Sequence, residues 1–99
     1  MPRDHQYFVY MMSNKTRSVL YTGVTNDLRA RVARHRSGEV PGFTRDYHCT
    51  VLVYCSDFAD INQAIAWEKQ LKGWRRAKKN ALVERDNSNW KDLAADWFD

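Results

Sequence analysis

Cysteine, glycine and long apolar runs are all scarce in this chain, and each shortage removes a class of protein. Two cysteines among 99 residues, Cys49 and Cys55, are too few for a disulfide scaffold. Both fall in what reads as one strand, where six residues at about 3.3 Å each set them roughly 20 Å apart, beyond disulfide reach. They are read as small buried hydrophobes. Together with the scattered His5, His35 and His48 they offer no zinc-ligand spacing. The longest apolar runs, Tyr7 to Met12 and Val51 to Tyr54, fall far short of a membrane helix, and the polar start from Met1 to Gln6 opens no signal peptide. A cytoplasmic protein that avoids membranes is expected. The four glycines build no phosphate-binding loop, and no nucleophile elbow or metalloprotease histidine pair occurs.

What is present is hydrophobic, aromatic and basic. A composition of 43% hydrophobic and 13% aromatic residues suits one small globular domain spanning residues 1–99, and the strands and helices read below put it in the α+β class. Residues 1–83 carry fourteen Lys/Arg against seven Asp/Glu, a net +7, whereas residues 84–99 carry two against five, a net −3. Seven excess positive charges point to a polyanionic partner, with nucleic acid ahead of a membrane surface. Tyr7–Met12 and Val19–Val24 read as two strands joined by a turn at residues 13–18, which brings Tyr10 near Tyr21. Thr25, Asn26 and Asp27 offer N-caps for a helix that runs to Ser37 and stops at Gly38. Residues 38–48 form a loop, and Cys49–Cys55 is the clearest strand, read as the central one. Asp60-Ile61-Asn62-Gln63 reads as a capping box for a second helix ending near Gly73. A third helix covers Ala77–Arg85, and the stripe Trp90, Leu93, Ala94, Trp97, Phe98 predicts a terminal one.

Three features of these helices carry chemistry. On the first, Leu28, Val32 and His35 fall within an arc of about 60°, with Arg31 beside it, while Arg29 and Arg36 point away as solvated charges. Arg31 and His35 therefore lean together against the core, where polar groups need partners. On the second, Glu68 falls inside the apolar face set by Ile61, Ala64, Ile65 and Leu71. A buried carboxylate needs a cation, either an arginine such as Arg31 or a bound metal ion, unless it snorkels to water. Lys69, Lys72, Arg75, Arg76, Lys78 and Lys79 then form the densest basic run, interleaved with Trp67 and Trp74 as a surface for phosphate contact.

The triplet Phe8-Val9-Tyr10, an eleven-residue step to Tyr21-Thr22-Gly23, then Arg31, His35 and a helical Glu68, resembles the GIY-YIG nuclease superfamily. The likeness is nearest to its small stand-alone bacterial members, similar to the catalytic module of the excinuclease C subunit. Phe8 stands where the family has its first glycine, and Thr22 where it has its second isoleucine. The resemblance implies a three-stranded antiparallel sheet flanked by helices, in the order β-β-α-β-α-α. It implies phosphodiester cleavage with one divalent ion, Mg²⁺ or Mn²⁺, held by Glu68, with Arg31 on the scissile phosphate. Tyr10 or Tyr21, helped by His35, would position or deprotonate the attacking water, and Asn87 matches a polar position late in the family's domain. DNA is the expected substrate, with RNA as the alternative. Low intrinsic sequence specificity is expected, with a protein partner as one source of selectivity. The competing expectation is a binding module that keeps the fold without turnover.

Overall fold

A computed structural model describes residues 6–39, 42 and 46–98. The hairpin expected from the sequence forms between β1, Tyr7–Ser13, and β2, Leu20–Thr25. Its turn is closed by one side chain: Asn14 Oδ1 accepts from Val19 N at 3.1 Å and Asn14 Nδ2 donates to Ser18 Oγ at 2.8 Å. Helix α1, Leu28–Ser37, starts at Asp27, whose carboxylate accepts from Ala30 N, and stops at Gly38 in the left-handed region at φ 78°. Strand β3 is Val51–Phe58, helix α2 is Ile61–Lys72 and helix α3 is Arg76–Asp86. At the start of α2 the Asp60 carboxylate accepts from Asn62 N at 2.8 Å, so the cap uses the second amide of the helix. Residues 40, 41 and 43–45 of the expected loop lie outside the described residues.

The strands form one antiparallel sheet in the order β2-β1-β3. Central placement therefore belongs to β1, not to the strand through Val51–Tyr54 as its apolar run suggested. The burial explains the exchange: Val9 to Ser13 are buried without a break, whereas β3 exposes Cys55 and Asp57 along its outer half. Alternation along β1 then sorts the core into two clusters. Val9 and Met11 pack with Val53, Tyr54, Ala64, Leu71, Val83 and Trp90, under α2 and α3. Tyr10 and Met12 pack with Leu28, Val32, Cys49, Leu52 and Ala94, under α1.

Three further expectations fail for identifiable reasons. Cys49 is buried, but Cys55 is exposed, because β3 runs on past the helices that cover its first half. Trp90–Phe98 is not a helix. Asp92 spends its carboxylate on the backbone, accepting from Leu52 N at 3.2 Å and Ala94 N at 3.0 Å, and Leu93 N donates to Leu52 O at 2.8 Å. The segment is thereby laid against β3 as turns. Arg29 and Arg36, expected in solvent, hold it down instead. Arg36 pairs with Asp92 at 2.5 Å, Arg29 donates to the Trp97 carbonyl, and the two guanidinium groups lie 5.1 and 5.0 Å from the Phe98 ring centre. No described helix is long and apolar enough to cross a membrane.

Candidate active site

The register of β1 sets up the site. Tyr10 lies opposite Gly23 on β2 and opposite Cys55 on β3, so these three residues form a row across the sheet on the α1 side. The tyrosine ring extends over Gly23: a methyl group there would meet Tyr10 Oη at 2.6 Å and Cζ at 2.7 Å. Glycine is required by this contact rather than by backbone freedom, since only its missing side chain lets the ring lie flat on β2.

From the helix above, His35 reaches the same ring. Tyr10 Oη is 2.9 Å from His35 Nε2, and Arg31 Nη1 donates to the same phenolic oxygen at 3.4 Å. Tyr21 closes the group, its ring centre 6.2 Å from that of Tyr10 and 5.5 Å from that of His35. The structure thus brings Tyr10, Tyr21, Arg31 and His35 together. Burial decides their protonation. Desolvation pushes the Tyr10 hydroxyl up to about 12, against the lowering influence of Arg31. Desolvation, reinforced by Arg31 and Arg34, brings His35 down to about 4. At neutral pH the pair is therefore a phenol beside a neutral imidazole. Tyr10 Oη and His35 Nε2 share one hydrogen bond whose direction follows the imidazole tautomer, that is, whether Nε2 or Nδ1 carries the ring proton. That Nδ1 is buried without a hydrogen-bond partner among the described residues.

These shifts make stability depend on pH. His35 ionises at about 6.5 when unfolded and about 4 when folded, so between those values the unfolded chain binds the extra proton and stability rises with pH. Tyr10 has its folded value raised from 10.0 to about 12, so its contribution is complete below 10 and is lost as pH climbs toward 12. Each limb is of the order of 3 kcal/mol at full extent. Urea unfolding measured from pH 4 to pH 11 is expected to show a plateau between about 6.5 and 10, and His35→Gln to flatten much of the acid limb. An unchanged acid limb in His35→Gln would contradict the assignment.

Glu68 is positioned differently. It lies between Ala64 and Leu71 on the sheet-facing side of α2, its side chain 13% exposed, and it pairs with Lys72 at 2.6 Å rather than with Arg31. A closed Glu68–Arg31 bridge is therefore excluded. Helix α2 packs over β1 and β2, the strands that carry the two tyrosines, but from the Val9 and Met11 side. No carboxylate among the described residues pairs with Arg31, which leaves its guanidinium free for an anion. Among the described residues no group of three or more His, Cys, Asp or Glu side chains gathers as a metal cage. A single hard carboxylate nevertheless fits Mg²⁺ held jointly with phosphate oxygens and water.

The remaining candidates are largely committed within the fold. Asn87 donates to Val53 O at 3.1 Å and Lys91 O at 2.9 Å and accepts from Lys91 N at 2.9 Å, so its amide fastens the final segment to β3. Arg76 donates to Asn80 Oδ1, to Ser18 O and to Arg17 O, tying α3 to the β1–β2 turn. Lys78 Nζ lies 4.2 Å from the Trp74 ring centre, and Lys72 is the partner of Glu68. Trp67 and Trp74 stack edge to face at 5.5 Å, with Trp67 Nε1 donating to Tyr54 Oη, as core neighbours rather than a phosphate surface. Lys69 and Arg75 stay exposed, and Lys79 is half-buried.

The sequence model of the GIY-YIG catalytic domain matches residues 6–80, which takes in every residue of the aromatic cluster and Glu68. The chain belongs to the GIY-YIG family. A UPF0213 protein of Bacillus pumilus is 35% identical over 80 residues, 81% of each chain. Another, from Natronomonas pharaonis, is 36% identical over 83 residues, 84% of this chain and 94% of its own. The solution NMR structure of a UPF0213 protein from Bacillus halodurans superposes with a TM-score of 0.57 at 29% identity, covering 92% of this chain and 97% of that one. The GIY-YIG assignment carries the nuclease superfamily with it, and hence nucleic acid as substrate class. Within this GIY-YIG chain the Gly23 requirement has a local cause, the ring of Tyr10. Thr22, at the motif's isoleucine position, buries a hydroxyl that finds no partner among the described residues.

Proposed function

We propose that this chain is a divalent-metal-dependent nuclease that hydrolyses phosphodiester bonds in DNA, including branched or frayed repair intermediates, with low sequence specificity. The observation that carries the reading is the Tyr10–His35–Arg31 cluster: a phenol hydrogen-bonded to a neutral imidazole, with a guanidinium that has no carboxylate partner among the described residues beside it. Arg31 binds the scissile phosphate through its planar fork and holds it against the tyrosines. Water oriented by Tyr10 and Tyr21 attacks phosphorus. Its proton passes to Tyr10 as Tyr10 gives its own to His35, so no free tyrosinate forms. The phosphate's charge offsets the push of Arg31 on His35 and lifts the imidazole back toward its ordinary basicity. Glu68 would hold one Mg²⁺ or Mn²⁺, and the ion would supply charge neutralisation at the reacting phosphate. Lys72 is 51% exposed, so it can turn to solvent and yield the carboxylate to the stronger cation.

The experiment is a cleavage panel of labelled single-stranded, duplex and branched DNA with Mg²⁺, Mn²⁺ or chelator. Metal-dependent cleavage of at least one substrate is expected, and no cleavage of any substrate under either metal defeats the reading. The Lys72–Glu68 pair specifically favours the alternative, a GIY-YIG module that binds nucleic acid without turnover. In that case binding persists and falls with salt while every cleavage lane stays blank.

A further inference from the structure

Beside the cluster lies a pocket of about 490 Å³ that none of the roles above uses. It is lined by Phe8, Leu28, Cys55 and Trp97 together with the exposed Asn26, Asp27 and Arg29. Four relations tie it to the site. Phe8 precedes Tyr10 by two residues on β1 and so faces the same side of the sheet. Cys55 is the direct cross-strand neighbour of Tyr10. Leu28 is one helical turn from Arg31. Arg29, by donating to the Trp97 carbonyl, fastens the tryptophan wall to the helix that carries Arg31. The lining is chiefly apolar and aromatic, with exposed amide, carboxylate and guanidinium groups among it.

We propose that this pocket receives one unpaired nucleobase of the bound strand, next to the phosphate that Arg31 holds. The inference rests on the nuclease reading and deepens it. Two aromatic rings supply the stacking surface that every base accepts regardless of identity. Asp27 is taken by its cap and Arg29 by the Trp97 carbonyl, so Asn26 supplies the hydrogen-bonding group, an amide that both donates and accepts and so suits a base of any sequence. The cationic helix beside it suits the charge of the attached phosphates. Phe8 is the decisive residue, because the glycine found at this motif position elsewhere in the family offers no ring. The consequence is a preference for strands with an unpaired nucleotide over continuous duplex, since a base must leave its stack to enter.

The pocket carries its own probe, because Cys55 is exposed and Cys49 is buried. Maleimide labelling of the wild-type protein in chelator, followed by mass spectrometry, reads occupancy directly without cleavage. Oligothymidylate is expected to slow Cys55 labelling at least about fivefold, and a fully abasic oligomer of equal length and charge to leave it unchanged. Phe8→Ala is expected to weaken oligothymidylate binding by about fivefold to a hundredfold while leaving abasic binding as it was. Oligothymidylate that binds by anisotropy without protecting Cys55, or equal protection by the abasic oligomer, overturns the pocket while the cleavage panel still stands. Protection of Cys55 with a blank cleavage panel keeps the pocket and removes the nuclease. The protection measurement uses the unaltered chain, so a folding defect in Phe8→Ala does not shield the proposal.

Discussion

Glu68→Ala is expected to abolish metal-dependent cleavage, with a fall of at least about a thousandfold in turnover at saturating Mg²⁺. The size follows from what the carboxylate would do. A single protein oxygen ligand leaves no second group to keep the ion when it is removed, and charge neutralisation at phosphorus is worth several kcal/mol in such sites. Stability should move little, since the one ion-pair partner of Glu68 among the described residues is a half-exposed lysine, and a pair open to solvent on one side contributes about 1 kcal/mol. The contrast between the two readouts is the point. Helix α2 approaches β1 from the Val9 side, so a carboxylate serving only Lys72 would leave cleavage intact. Turnover by Glu68→Ala within tenfold of wild type, with an unchanged metal requirement, would remove Glu68 from the site.

Gly23→Ala is the second large effect, and it acts on fold and site together. Contacts of 2.6 and 2.7 Å between a new methyl and the end of the Tyr10 ring cannot persist. Tyr10 is fully buried, so the ring has no solvent to swing into and β2 has to give way. Overpacking of this kind costs about 1–3 kcal/mol. The displaced hydroxyl also loses its 2.9 Å contact with His35, and misplacement of about 1 Å at a reacting group costs roughly a hundredfold in rate. Measured together, urea unfolding and single-turnover cleavage are expected to report both losses. A variant that unfolds at the wild-type midpoint would show that the ring tolerates the methyl.

Local chemistry was readable wherever one residue decided the outcome. Asp27 and Gly38 bound α1 as their cap chemistry required, and the helical angles set Leu28, Val32 and His35 on the buried side. Strand pairing set Tyr10 near Tyr21 and helix period set His35 beside Arg31, but the meeting of Tyr10 with His35 came only from the family resemblance. What the residues concealed were choices made by distant partners. The central strand could not be chosen from apolar runs, because Tyr7–Met12 and Val51–Tyr54 are equally apolar and the difference lies in what covers β3. The Trp90–Phe98 stripe has perfect helical spacing, but Asp92 gives its carboxylate to Leu52 across 40 residues. Arg29 and Arg36 look solvated on any helical wheel until a C-terminal ring arrives to lie beneath them. The pocket between Phe8 and Trp97 was invisible for the same reason, as its walls come from opposite ends of the chain.

The clamp on the C-terminal segment also alters how the positive charge of this protein counts. A cation already spent on an internal acceptor displaces no condensed counterions when DNA approaches, so it adds little to the entropy that drives association. Arg29, Arg36, Lys72, Arg76 and Lys78 are spent in this way or held against rings, whereas Arg31, Arg34, Lys69, Arg75 and Lys79 have no carboxylate partner among the described residues. The cations left to displace counterions are therefore fewer than the sixteen Lys and Arg residues of the sequence. Weak, readily exchanged contact with undamaged nucleic acid follows, and residence is left to whatever enters beside Phe8.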